Sequence, residues 1–203
     1  MPDFKNLNFN LVLIAGTALL GYLVVRKFGS LGDFLNRQPA DVNPTSPLSA
    51  DRRKVMADRV KLTVWNPYGR LIQKHVVNQL DRAFVAATIL RESNGRETVV
   101  SEKLAIGLMQ LTPIAVDDVN QNFGTKFIWA QGKIAEINIA IGAKFLELQK
   151  RRMKGFEPAL FNVSRAWLCG AEGAKREPNC GASYASDVVD HATAFFDFYR
   201  SII

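Results

Sequence analysis

Residues 83–93 read AFVAATILRES. A nearly unbroken apolar run ends in a glutamate followed by a serine. On a helix, Val85, Thr88, Ile89 and Glu92 share one face. Alanine and large apolar side chains cover the other faces, so the segment predicts a helix buried all round. Glu92 then stands at the C-terminal end, at the edge of the core. Apolar surroundings penalise a charged carboxylate, and the negative end of the helix dipole acts in the same direction. A glutamate kept neutral near pH 7 has a proton to donate, which is what a general acid needs. A lone glutamate ending a helix is most often simply solvated, so the residues around it must decide.

Working outward, the pattern from Asn66 onward is helical almost throughout. Leu71, Ile72, Val76 and Leu80 recur at helical spacing, as do Ile139, Gly142, Ala143, Leu146 and Met153. Near the C-terminus, Val188, Val189, Ala192, Phe195, Phe196 and Tyr199 repeat the pattern. The stretch ETVVSEK (97–103) admits one short extended piece, and there is no internal repeat. The expected class is mostly α.

The N-terminal part reads differently. Residues 9–25, FNLVLIAGTALLGYLVV, carry no charge, and Asn10 and Thr17 are the main polar breaks. Such a run just spans a bilayer core at about 1.5 Å of rise per residue. A cleavable leader would want a small-x-small site, which is missing, so residues 1–27 are expected to form a transmembrane anchor. Arg26 and Lys27 follow it, and the excess of positive charge on that side points the following domain toward the cytoplasm. Residues 28–49 contain three prolines and read as a linker. Residues 50–65 are expected to form a basic amphipathic helix with Ser49 as N-cap and a stripe of Val55, Met56, Arg59, Val60 and Val64. Its basic side is either a solvated face or a surface for an anionic partner. Residues 66–203 form the main domain.

The formal net charge is +7 in 203 residues. It fits nucleic acid, a membrane surface or a cell-wall polymer equally well. Without a Gly-rich phosphate loop or an RNA-binding aromatic motif, nucleic acid is not expected. Cys169 and Cys180 either pair or stay reduced, and they lack the companions of a zinc site. No metal and no cofactor is expected.

Downstream of Glu92 stands SEKLAIGLMQLTP (101–113). The E-S pair, then Ser101, then Gly107-Leu108-Met109-Gln110 at this spacing resembles the lytic transglycosylases of the soluble-lysozyme type. The segment NIAIGAKFLELQ (138–149) is similar to that family's N-I-x-x-G-x-x-Y-L helix, with Phe145 in place of tyrosine. The resemblance spans roughly residues 66–200 and implies a lysozyme-like domain that cleaves the β-1,4 bond between N-acetylmuramic acid and N-acetylglucosamine. It implies Glu92 as acid and then base, with a 1,6-anhydro product and no second carboxylate. Ser93, Ser101, Gly107, Leu108, Met109, Gln110, Trp167 and Tyr184 are implied to line or support the sugar groove, with Tyr184 orienting the acid. The family's A-Y-N-A-G motif is matched only loosely by AWLCG (166–170), where Leu168 stands for the asparagine.

Asp117, Asp118 and Glu102 are expected on the surface. A second carboxylate among them would turn the chemistry toward hydrolysis by a lysozyme-like route. The altered AWLCG segment keeps a non-catalytic, wall-binding protein as the alternative. The expected setting is a bacterial inner membrane with a periplasmic domain, or the internal membrane of a phage virion used during entry.

Overall fold

The computed structural model describes residues 49–203. The anchor expected at 1–27 and all but the last residue of the linker at 28–49 lie outside the described residues. Among the described residues, no helix is long and apolar enough to cross a membrane.

Ser49 caps the first helix, α1 (Ala50–Val60), by accepting the Arg52 backbone N–H at 3.3 Å. The chain continues without a break through a π turn (Lys61–Trp65) into α2 (Asn66–His75). Proline cannot donate a backbone hydrogen bond, and its ring crowds the carbonyl four residues earlier. The wider π turn accommodates Pro67 there without ending the helix. After α2 come α3 (Gln79–Ser93), α4 (Pro113–Phe123), a 3-10 turn (Trp129–Lys133), α5 (Ala135–Arg152), α6 (Ala159–Arg176) and α7 (Ala182–Tyr199). Among the described residues, extended structure is limited to isolated bridges of Ile106 with Val100 and Leu111. The mostly α class is thus observed.

Helix α3 is the centre. Every residue from Ala83 to Leu90 is buried, as the apolar run predicts. Asn78 caps its start by accepting the N–H groups of Leu80 and Asp81. Helix α7 packs along α3 and α1 and brings Val188, Ala192 and Phe195 into the core. Helix α5 lies against α2, α4 and α6.

The stripe expected on α1 is corrected in part. Val60 and Val64 are buried, whereas Val55 is 67% exposed. Of the basic side chains, Arg52, Lys54 and Arg59 are exposed, as a solvated face requires, while Arg53 pairs with Asp197 and Lys54 with Asp58 and Tyr199. Lys61 sits over the Tyr199 ring, 4.5 Å from its centroid. Ala57 and Val60 are the buried residues of this helix, and its other side stays in solvent.

A buried asparagine holds the loop that precedes α4. Asn138 Oδ1 accepts the Met109 N–H at 2.8 Å, and its Nδ2 donates to Ile106 O at 2.9 Å and Gly132 O at 2.8 Å. Backbone and side chain approach so closely that a Cβ at Gly107, where φ is +76°, would lie 2.0 Å from Gly132 O. A Cβ at Gly142 would lie 2.1 Å from Met109 Sδ. Replacing Asn138 by alanine removes three hydrogen bonds at once and leaves buried backbone groups unpaired. We expect a loss of roughly 3 kcal/mol or more, seen as a lower urea midpoint at an unchanged m-value. An unchanged midpoint would mean that the loop holds itself.

Candidate active site

Glu92 occupies the last turn of α3. The helix ends because Asn94 takes a left-handed conformation (φ 51°) and returns its N–H to Leu90 O at 3.0 Å. Ser93 is buried and donates its hydroxyl to Ile89 O at 3.2 Å. That bond serves the turn, and the hydroxyl is not aimed at a substrate.

The partner of Glu92 comes from 92 residues away. Tyr184, in the first turn of α7, donates its hydroxyl to Glu92 Oε1 at 2.6 Å. Burial pushes the Glu92 carboxyl above its ordinary range. The Tyr184 hydroxyl, the Arg91 charge and the Trp167 indole pull the other way without cancelling it. Tyr184 itself is buried, and burial together with the neighbouring carboxylate raises its own pKa strongly, so it remains a donor. Arg91 lies over the Tyr184 ring, 5.6 Å from its centroid, and pairs with Asp187 at 3.1 Å. A carboxyl whose protonated form is favoured by burial, with one oxygen held by a phenol, is a positioned candidate proton donor.

A cleft of about 280 Å³ lies between α4, α5 and α6 and is lined in part by Gln110, Ile114, Phe145, Trp167 and Leu168. Trp167 meets Phe145 edge-on, with ring centroids 5.0 Å apart. Trp167 and Phe145 thus form one aromatic wall of the cleft.

Residues 71–184 match the family described as the transglycosylase SLT domain, more than half of the chain. The chain belongs to this SLT family. The matched span begins in α2 and ends at Tyr184. Among solved structures, the 70 kDa soluble lytic transglycosylase SLT70 from Escherichia coli is similar, with a TM-score of 0.55 at 15% identity. The alignment covers 96% of this chain and 37% of that one, so the chain spans little more than a third of that enzyme's length. At that identity the likeness concerns the fold. No curated protein matches the chain.

Within this SLT domain, several residues expected in the groove are placed otherwise. Leu108 and Met109 are both fully buried, so they form core and not groove wall. Gly107 faces Gly132 and Asn138, where its missing side chain serves packing. Ser101 accepts the Ala105 N–H at 3.0 Å and closes its own loop. Gln110 borders the cleft, yet its Nε2 donates to Gly107 O at 2.9 Å and Val99 O at 3.2 Å. Its amide donor thus fixes the loop backbone and is not pointed at Glu92. Tyr184 does reach the acid, and Trp167 lines the cleft. Asp117 and Glu102 are exposed, and Asp118 is held by a two-point pair with Arg152 at 2.5 and 2.7 Å.

The sequence reading missed Ile114, Gln149 and Arg152 as cleft residues. For Gln149 a signal existed, since it follows Phe145 by one turn on a face that is otherwise apolar. Cys169 and Cys180 are joined, with Cα atoms 6.3 Å apart. The bond ties the segment next to Gly170, where α6 kinks (φ 69°, ψ 156°), to the approach to α7.

Because the folded state favours the protonated form of Glu92, its contribution to stability is full below the ordinary value of 4.5 and is lost as pH rises through the raised value. Glu92→Gln mimics the protonated group and escapes that loss. Its melting temperature should exceed the native one at pH 7 to 8, and the gain should vanish below about pH 4. A constant difference across that range would contradict the raised pKa. Tyr184→Phe removes a bond to the charged form, so the Glu92 carboxyl resonance should titrate at still higher pH by NMR. A downward shift would show that burial is not the dominant influence.

Proposed function

We propose that this domain is a peptidoglycan lytic transglycosylase that cuts the bond between N-acetylmuramic acid and N-acetylglucosamine and leaves a 1,6-anhydro ring. The observation that carries this reading is the Tyr184–Glu92 bond at the end of a buried helix, within a chain of the SLT family. Tyr184 holds Oε1, and the other carboxyl oxygen delivers its proton to the glycosidic oxygen of the leaving sugar. The acetamido group of the muramic residue supports the positive charge at its anomeric carbon. Glu92, now ionised, takes the proton of the muramic C6 hydroxyl as that oxygen attacks the anomeric carbon. One carboxyl group gives a proton and recovers one, so the site returns to its starting state.

The polar contacts of the described residues support a single-carboxyl route. An inverting hydrolase keeps a free second carboxylate about 6.5–9.5 Å from the acid to activate water. Asp118, the half-buried carboxylate of the cleft, is spent on Arg152. The exposed, apolar Leu168 favours one second reading, a wall-binding protein that does not cut.

The proposed setting is membrane attachment through residues 9–25, in a bacterial envelope or the internal membrane of a phage virion. The Cys169–Cys180 bond supports a destination outside the reducing cytoplasm. The basic pair Arg26 and Lys27 pulls toward the opposite topology.

Purified peptidoglycan should be digested with the full chain and the products read by mass spectrometry. Anhydro-muropeptides are expected, and Glu92→Gln should reduce their formation by about 10²–10⁴-fold. Reducing-end products that depend on Glu92 would replace the proposal with hydrolysis. Wall binding without any product would favour the non-cutting protein.

A further inference from the structure

Gln149 lines the cleft between α4, α5 and α6 and is fully buried, and neither its Nε2 nor its Oε1 has a hydrogen-bond partner. A buried amide with both atoms unpaired is rare in folded proteins and asks for an explanation. Around it the charges of the cleft are paired, and the amide nitrogen of Gln110 and the hydroxyl oxygen of Thr112 are engaged. Asp118 and Arg152 neutralise each other, Gln110 donates to its own loop, and Thr112 accepts the Ala115 N–H as the cap of α4. The walls are otherwise apolar, with Ile114, Phe145, Trp167 and Leu168. The cleft therefore offers a neutral amide and a greasy lining, with its charges paired.

We propose that Gln149 recognises the acetamido group of an N-acetylated sugar ring seated in this cleft, and so sets specificity for that ring. The proposal rests on the reading of the domain as a wall-cutting enzyme and names the sugar group that its cleft selects. An acetamido group is the complement of what Gln149 leaves unsatisfied. Its C=O accepts from Nε2, its N–H donates to Oε1, and its methyl group takes the apolar wall. A carboxylate fits poorly, because the one cation of the lining, Arg152, is already held by Asp118. The volume of about 280 Å³ lies just under the roughly 300 Å³ at which small-molecule pockets begin, which suits one ring and not a long chain segment. Both amide atoms are shielded from bulk water, so the pairing requires the lining to open over them. Leu168 supplies no amide of its own, and Gln149 on α5 is the cleft amide with neither atom paired.

Peptide stems also carry secondary amides, so the test separates the two sources. The full chain carrying Glu92→Gln, which prevents turnover, is titrated calorimetrically with N-acetylglucosamine tetramer, with its de-N-acetylated counterpart and with a free stem peptide. The N-acetylated tetramer should bind at least tenfold more tightly than the other two. Adding Gln149→Met, an unbranched apolar replacement, should weaken the N-acetylated tetramer about tenfold and leave the de-N-acetylated one unchanged. Its melting temperature should hold or rise, because an unpaired buried amide is lost, and Gln149→Leu serves as a second variant. An acetamido preference that survives both variants, binding of neither tetramer, or a stem peptide whose binding depends on Gln149 would overturn the proposal. A Gln149-dependent preference, together with a chain bearing the native Glu92 that releases nothing from peptidoglycan, would instead uphold it and defeat the enzymatic reading.

Discussion

A carboxyl group at the end of a fully buried helix imposes a demand that the rest of the domain has to meet. From Ala83 to Leu90, α3 shows no side chain to solvent, so the fold must wrap it on all sides. Helices α1 and α7 supply part of that wrapping. The carboxyl then sits where charge is disfavoured and hydrogen-bond donors are scarce. Tyr184 meets the demand from the first turn of α7, and the geometry that buries the helix also delivers the phenol. Packing and chemistry are linked here, because sliding α7 along α3 would both open the core and strip Glu92 of its donor. Arg91 and Asp187 reinforce the same junction from the outside, joining the two helices by an ion pair beside the Tyr184 ring. Both side chains are about half exposed, so the pair steers geometry more than it stabilises.

A second constraint is the path from Glu92 back to α4. The intervening loop has positive φ at Leu104, Gly107 and Gln110, a shape that ladder hydrogen bonds alone cannot hold. Asn138 replaces the missing partners from within the core, and Gly107 and Gly142 leave room for the approach. Gln110 adds its own amide to the same work. The GLMQ segment is thus an internal brace with one edge on the cleft.

The parts legible in the sequence are those in which a period or a burial conflict speaks. Glu92 was readable because a charged group interrupts an apolar run at a helix end. Tyr184 was readable through the family resemblance, and the α5 and α7 stripes through their spacing. The orientation of residues 107–110 was not readable, because a loop of mixed left-handed and extended residues has no period that assigns faces. Leu108 and Met109 therefore read as groove wall although they are core. The basic face of α1 was legible as a charged, largely solvated surface. What was not legible is that Arg53 and Lys54 reach Asp197 and Tyr199, which lie far away in sequence. Gln149 stood in plain view inside a helical stripe, yet a glutamine reads as a surface residue unless its position on the face is counted.

In the AWLCG segment the backbone is fixed by other residues than Leu168. Gly170 adopts φ 69° and ψ 156°, a conformation essentially reserved for glycine, and this kink sets the direction of the chain just after Trp167 and Leu168. Arg165, one turn earlier and itself buried, donates to Cys180 O, Asn162 Oδ1 and Ala174 O, and so clamps the connection into α7. The Cys169–Cys180 bond closes the same loop covalently. Glycine, arginine and disulfide all fix the path that carries Tyr184 to Glu92. The substitution at position 168, by contrast, falls on a side chain that is 56% exposed and bears on none of these contacts. The scaffold of the acid is therefore independent of Leu168, and what the leucine alters is the surface that a ligand meets.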